Sequence, residues 1–119
     1  MELAEVMKAL SHKNRLRILN LLNQKTLCVS ELTNIMEVNQ SNASRHLSKL
    51  AQADLIEQSR DGNWIYYFIK PESKEKYPFL EPLLKGMGKE KELLADLEKL
   101  QIYEESGIDC SELKYEDLF

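Results

Sequence analysis

Long hydrophobic runs are missing from this 119-residue chain, and glycine and proline are scarce, at four and three. The longest uninterrupted apolar run, Trp64 to Ile69, is far shorter than the roughly 20 residues that cross a bilayer, so we expect no membrane span and no membrane partner. The segment Met1 to Glu5 is acidic where a signal peptide would be basic, which predicts a cytoplasmic protein. No Gly-rich phosphate loop and no Ser-His-Asp or Cys-His pair at a credible site is present, so we do not expect an enzyme.

Cysteine and histidine are equally sparse, with two of each. Cys28 and Cys110 are too few for a disulfide-scaffolded secreted domain, and they are compatible with free thiols in a reducing compartment. His12 and His46 lack neighbours at metal-ligand spacing. We therefore interpret His12 as a cap or surface residue and His46 as a packed residue beside a buried stripe.

The acidic charge is concentrated in one half of the chain. Residues 1–60 carry 8 Lys/Arg against 6 Asp/Glu, a net charge of +2, whereas residues 61–119 carry 8 against 14, a net charge of -6, which together give the overall -4. The overall charge is therefore a poor guide to what the first half binds. The length allows one compact domain, and we expect it at residues 1–104, followed by an acidic C-terminal tail at residues 105–119.

Helical periodicity dominates the first half. Leu3, Val6, Met7 and Leu10 predict a first helix, Ser11 is a candidate cap for a second, and a third is expected over Val29 to Met36 after a short extended segment. Asn39 can cap a fourth helix from about Gln40 to Gln52. A short turn between the third and fourth helices is the helix-turn-helix arrangement.

The period then changes to that of a strand. Ile56 to Ser59 and Trp64 to Ile69 flank an Asp-Gly pair suited to a tight turn, so they predict a β-hairpin, the wing of a winged helix-turn-helix. Pro71 is expected to end the second strand. From Phe79 to about Glu104 the leucines predict helix, interrupted near Gly86 and Gly88. The predicted fold is mainly α with a small β-hairpin.

The outward face of the fourth helix is small and polar, with two cations and no carboxylate. Such a face suits the DNA major groove, where short hydrogen-bonding side chains near the helix N-terminus can reach base edges. We expect Arg60 and Asn63, in the hairpin turn, to reach the DNA backbone. The predicted helical contacts are Gln40, Ser41, Asn42, Ser44, Arg45, Ser48 and Lys49. The alternative from another class is a winged-helix module that mediates protein contacts without binding DNA.

Four stretches together resemble the ArsR/SmtB family of bacterial repressors: residues 11–19, 27–32 and 39–50, then Gly62 with Tyr66 to Ile69. The resemblance covers about residues 3–70, and its most specific part is the Ser-Arg-His-Leu core at residues 44–47. It implies a homodimer that pairs through the first and last helices, binds a palindromic double-stranded operator and leaves it when an inducer binds.

One departure from the family pattern bears on the inducer. Arsenic-sensing members carry Cys-Val-Cys at the start of the third helix, but here Ser30 replaces the second cysteine, and the last helix has no histidine for a zinc site. A helix start would lower the pKa of the Cys28 thiol, although Cys28 could also be a small core residue.

Cys110 lies in an acidic segment that we expect to be exposed. If Cys110 reached Cys28, the pair could bind a trivalent arsenical, either arsenite or an organoarsenical. The alternative is a redox or persulfide sensor that closes a disulfide or polysulfide bridge. No cofactor is expected to be obligatory.

Overall fold

The computed structural model describes residues 1–113, where seven α-helices, three short strands and two 3-10 turns form. The first six elements are α1 (Glu2–Leu10), α2 (Lys13–Leu22), β1 (Leu27–Cys28), α3 (Val29–Met36), α4 (Gln40–Gln52) and β2 (Ile56–Asp61). They are followed by β3 (Trp64–Ile69), α5 (Pro71–Lys76), α6 (Leu80–Gly86), a 3-10 turn (Met87–Lys89), α7 (Lys91–Ser106) and a second 3-10 turn (Cys110–Glu112). The predicted winged helix-turn-helix, mainly α with a small sheet, is confirmed.

The core lies between the helices and one face of a small antiparallel sheet. Apolar positions three and four apart on α2, α3 and α4 meet there, and Ile18, Leu32 and Leu47 are almost completely removed from solvent. The strands lie in the order β1-β3-β2, with Leu27 opposite Tyr67 and Ile56 opposite Ile69. Tyr67 and Ile69 pack against the core, so the odd-numbered face of β3 is the buried one.

Two local predictions differ from the structure. Ser11 does not cap α2; it ends α1, and its hydroxyl donates to the Lys8 carbonyl over 3.0 Å. His12 is the N-cap of α2, where its Nδ1 accepts the Asn14 N–H at 3.2 Å, so the interpretation of His12 as a cap is confirmed. Pro71 begins α5 instead of only ending β3, because its fixed φ and missing N–H fit the first position of a helix.

No helix among residues 1–113 has both the length and the apolar character that a membrane-spanning segment requires.

Candidate nucleic-acid interface and thiol site

The fourth helix presents one buried and one open face, as its sequence predicts. Ala43, His46, Leu47 and Leu50 are buried against the core. Asn39 caps the helix by accepting the Asn42 N–H at 2.8 Å, which fixes where α4 begins. Of the predicted DNA contacts on this helix, Asn42 and Ser44 are half-buried, and the exposed ones are Gln40, Ser41, Arg45, Ser48 and Lys49.

The cations of this face have no carboxylate partner within residues 1–113. The Arg45 guanidinium donates instead to the side-chain oxygen of Asn42 at 2.8 Å, and Lys49 takes part in no ion pair there. An unneutralised cationic face on a helix is suited to phosphate and to base edges. We call this surface, residues 40–42, 44, 45, 48 and 49, the polar face of α4.

The hairpin between β2 and β3 carries the other two predicted contacts. Arg60 and Asn63 are both exposed, and Asp61 is paired with Trp64 across the turn. Gly62 has a positive φ of 63°, a left-handed conformation that favours glycine in a tight turn. The turn therefore holds Arg60 and Asn63 at the solvent-exposed end of the wing.

His46 lies on the buried side of α4, which confirms its interpretation as a packed residue. Its ring centroid is 4.3 Å from that of His12, and its buried Nδ1 has no hydrogen-bond partner. Burial lowers the pKa of His46, and the nearby positive groups His12, Arg15 and Arg45 lower it further. The neutral imidazole is thus the favoured form beneath the polar face.

The two cysteines meet within one chain. Cys28 is the N-cap of α3, Cys110 begins the 3-10 turn beyond α7, and the two form a disulfide with a Cα–Cα distance of 6.4 Å. Both are buried, so the expectation of an exposed Cys110 is wrong. The physical reason is that α7 ends at Gly107, whose positive φ of 74° turns the chain back towards α3.

Glu31 is a member of this site that the sequence interpretation missed. It is buried, and its carboxylate accepts the Cys28 N–H at 2.9 Å and the Tyr103 hydroxyl at 2.5 Å. Burial and the Glu31 carboxylate raise the pKa of Tyr103 far above its usual value. The available signal was the spacing: a glutamate three residues after an N-cap is the capping-box pattern, here with Cys28 as the cap.

Further contacts hold α7 against the helices before α4. The Arg17 guanidinium of α2 makes two hydrogen bonds to the Asp96 carboxylate, at 2.8 and 2.9 Å, and a third to the Met36 carbonyl at 3.0 Å. Lys99 of α7 pairs with Glu37, directly after α3, at 2.8 Å. The thiol site is therefore mechanically connected to the turn that leads into α4.

The sequence and fold match one family of regulators. A family model described as "Bacterial regulatory protein, arsR family" matches residues 12–58. A crystal structure of a Mycobacterium bovis transcriptional regulator fragment is 32% identical, with a TM-score of 0.61, and the match covers 75% of this chain and 92% of that one. The chain belongs to the ArsR family. The family and fold are those of regulators, so the expectation of a non-enzymatic protein is confirmed.

Other members of the ArsR family extend the comparison. The solution structure of the Mycobacterium bovis fragment is described as a homodimeric winged helix-turn-helix DNA-binding domain, at 29% identity and a TM-score of 0.62 over 76% of this chain and 85% of that one. An arsenic resistance transcriptional regulator from Pseudomonas putida is 36% identical over 83 residues, and an arsenical resistance operon repressor from Bacillus subtilis is 44% identical over 66. These matches cover 69% and 55% of this chain, which spans 62% and 63% of the relatives' lengths.

Proposed function

We propose that this chain is a transcriptional repressor that binds a palindromic duplex operator as a homodimer. The observation that carries the proposal is the polar face of α4, solvent-exposed and without a carboxylate, beside a wing with Arg60 near its tip. In this proposal α4 enters the major groove with Ser41, Arg45 and Ser48 near base edges, and Arg60 and Asn63 contact the backbone. The homodimeric description of the Mycobacterium bovis fragment supports the dimer.

Exposed apolar side chains indicate where the dimer would pair. Leu3 and Met7 on α1, and Leu94 and Ile102 on α7, all remain open to solvent in the single chain. Two copies of a recognition surface placed on symmetric half-sites gain affinity over one copy. We propose that α1 and α7 of the two protomers cover one another.

The test of operator binding is a fluorescence-anisotropy titration with DNA from upstream of the chain's own gene, repeated at several salt concentrations. Because phosphate contacts release counterions, we expect binding to weaken steeply as salt rises. Arg45→Ala should cost about 1 to 3 kcal/mol, roughly 5- to 150-fold in affinity, if Arg45 reads a base. Lys85→Ala, an exposed cation on α6, is the matched control and should leave the affinity unchanged.

The protein-interaction alternative predicts a different result. Charge-reversing Arg45→Glu would abolish operator binding in a repressor, whereas a module that only contacts proteins would show no salt-sensitive binding in the wild type either. Absence of such binding by the wild type contradicts the repressor proposal.

For the inducer, we propose a trivalent arsenical held by Cys28 and Cys110. Reduction of the disulfide gives two thiols, and an organoarsenical with two hydroxyl groups can then form two As–S bonds with loss of two waters. The names of the Pseudomonas putida and Bacillus subtilis relatives support arsenic as the signal. Because Cys28 caps α3 and Cys110 follows α7, ligation would shift the helix before α4 and with it the half-site spacing.

A second candidate is a thiol redox switch, favoured by the disulfide itself. Oxidation of the two thiols by a peroxide forms the S–S bond and reduces the peroxide to two waters, and a polysulfide would instead bridge the sulfurs. The two candidates share the same residues and differ in the reagent that acts on them.

A DNA-release assay separates the candidates. Reduced wild-type protein bound to operator is treated with phenylarsine oxide, arsenite, hydrogen peroxide or polysulfide, and the same reagents are applied to Cys28→Ser and Cys110→Ser. Release by the arsenicals alone supports the first candidate, and release by the oxidants alone supports the second. Undiminished release from both variants would remove the thiols from the mechanism.

A further inference from the structure

The donor atoms of the thiol site form a group of three. Cys28 Sγ, Cys110 Sγ and a carboxylate oxygen of Glu31 all lie within 4.8 Å of one another, and all three residues are buried. We propose that, once the disulfide is reduced, these residues bind a borderline divalent cation, Zn²⁺ or Cd²⁺, with water in the fourth position. This inference rests on the proposed function, because it requires the same dithiol, and it adds a third ligand and a second class of signal.

The buried carboxylate lacks a counter-charge. Within residues 1–113, Glu31 forms no ion pair with Lys, Arg or His, and its two partners there are the neutral Cys28 N–H and Tyr103 hydroxyl. A buried charge is costly unless it is paired or coordinates a metal. A cation between Glu31 and the two sulfurs would supply the missing positive charge.

The same two donors prepare Glu31 as a ligand. Cys28 N–H and Tyr103 O–H each occupy one lone pair of a different carboxylate oxygen, so each oxygen keeps a lone pair for a metal. Donors behind a metal ligand fix its orientation and are a regular part of metal sites. Tyr103 is therefore a positioning residue for Glu31 in this proposal.

The donor set selects the cation. Thiolates favour zinc and cadmium over magnesium and calcium, and the carboxylate oxygen completes a mixed set that zinc accepts. A dithiol reductant first supplies two electrons and two protons to open the disulfide. Binding of the cation then releases two thiol protons, and two thiolates plus one carboxylate around a divalent ion leave a net charge of -1.

The sulfurs have to separate for this geometry. With Zn–S bonds of about 2.3 Å, tetrahedral ligands lie roughly 3.7 Å apart, farther than two bonded sulfurs. Cys110 follows the left-handed Gly107 and begins a short 3-10 turn, whereas Cys28 lies between β1 and α3. The cysteine beyond α7 is the one placed to move.

The experiment is a metal titration of the reduced full-length protein without oxygen. Cd²⁺ is followed by the thiolate-to-cadmium charge-transfer absorption, and Zn²⁺ by competition with a chromophoric chelator. We expect one ion per chain, with affinity reduced more than tenfold by Glu31→Gln and about 10- to 100-fold by Tyr103→Phe. Glu98→Gln, an exposed carboxylate on the same α7, is the matched control and should bind as the wild type does.

Two results would overturn the cation site: no binding of either ion by the reduced wild type, or binding by Glu31→Gln that is as tight as wild type. Far-UV circular dichroism confirms that each variant folds, and if Glu31→Gln does not, Tyr103→Phe decides in its place. Phenylarsine oxide, titrated on the same samples, needs only the two sulfurs. Its binding to wild type and Glu31→Gln alike preserves the arsenical proposal when the cation site fails, and its failure to bind wild type contradicts the arsenical proposal alone.

Discussion

At the scale of single residues, the two histidines show how the polar face of α4 is supported from below. His12 uses Nδ1 to cap α2, so that nitrogen is unprotonated in the folded chain. His46 stands 4.3 Å away with a lowered pKa and a buried Nδ1 that has no partner. Both rings thus favour their neutral form, and together they connect the start of α2 to the proposed recognition helix.

This pairing predicts that acid destabilises the fold. The pKa of His46 is lower in the folded chain than in the unfolded one, so in the interval between the two values the unfolded chain binds a proton that the folded chain does not. Stability contributed by neutral His46 is present at neutral pH and is lost as pH falls below about 6.5. Urea unfolding at a series of pH values should show this fall, and a smaller one in His46→Gln. An equal pH dependence in both proteins would contradict the assignment.

At the scale of elements, α7 is the helix that ties the thiol site to the helix-turn-helix. It contributes Asp96 to the bridge with Arg17, Lys99 to the pair with Glu37 and Tyr103 to the bond with Glu31. The bridge between Arg17 and Asp96 is shielded, with side chains 14% and 2% exposed, whereas the neighbouring Lys13 and Glu92 pair is 65% and 58% exposed. These two pairs join the same two helices in different surroundings.

The difference in exposure predicts unequal costs. Asp96→Asn removes the charge that compensates Arg17 and should lower the free energy of unfolding by about 3 to 5 kcal/mol. Glu92→Gln breaks a solvated pair and should cost less than about 1 kcal/mol. Urea denaturation of the two variants measures both values. Similar losses in the two would mean that α7 is not anchored through Arg17.

The sequence predicted the elements whose side chains repeat at a regular period and missed those that depend on chain geometry. The extent of α4, its Asn39 cap and the hairpin around Gly62 follow from local residue types, so they were predictable. The burial of Cys110 was not, because it depends on a turn after α7 and on contacts with residues some 80 positions earlier in the chain. Helix α5 was missed because Pro71 is compatible both with the end of a strand and with the start of a helix.

The proposed DNA contacts divide in the same way. Solvent exposure of Ser41, Arg45 and Ser48 followed from the helical period, and the structure agrees with it. Glu31 required knowledge that Cys28 is an N-cap and that Tyr103 approaches from α7, and neither is visible in residues 28–31 alone.

At the scale of the whole molecule, the disulfide joins residues 82 positions apart and encloses α3, α4, the wing and α7 in one covalent loop. A cross-link of this span limits the unfolded chain, so we expect reduction to lower the free energy of unfolding by about 2 to 5 kcal/mol. Urea unfolding with and without a reductant measures the difference. Cys110→Ser should resemble the reduced wild type and should not respond to the reductant; a large response would point to a different cause.

The covalent loop also determines what a protease would leave behind. A single cut in the solvent-exposed turn at Gly62 divides the backbone between β2 and β3, but the two pieces lie on either side of the cut and remain attached through Cys28 and Cys110. The nicked protein would keep its mass under denaturing conditions and would fall into two peptides only when the cysteines are reduced. Gel mobility after such a cut therefore reports the oxidation state of the sulfurs inside the cell from which the protein came.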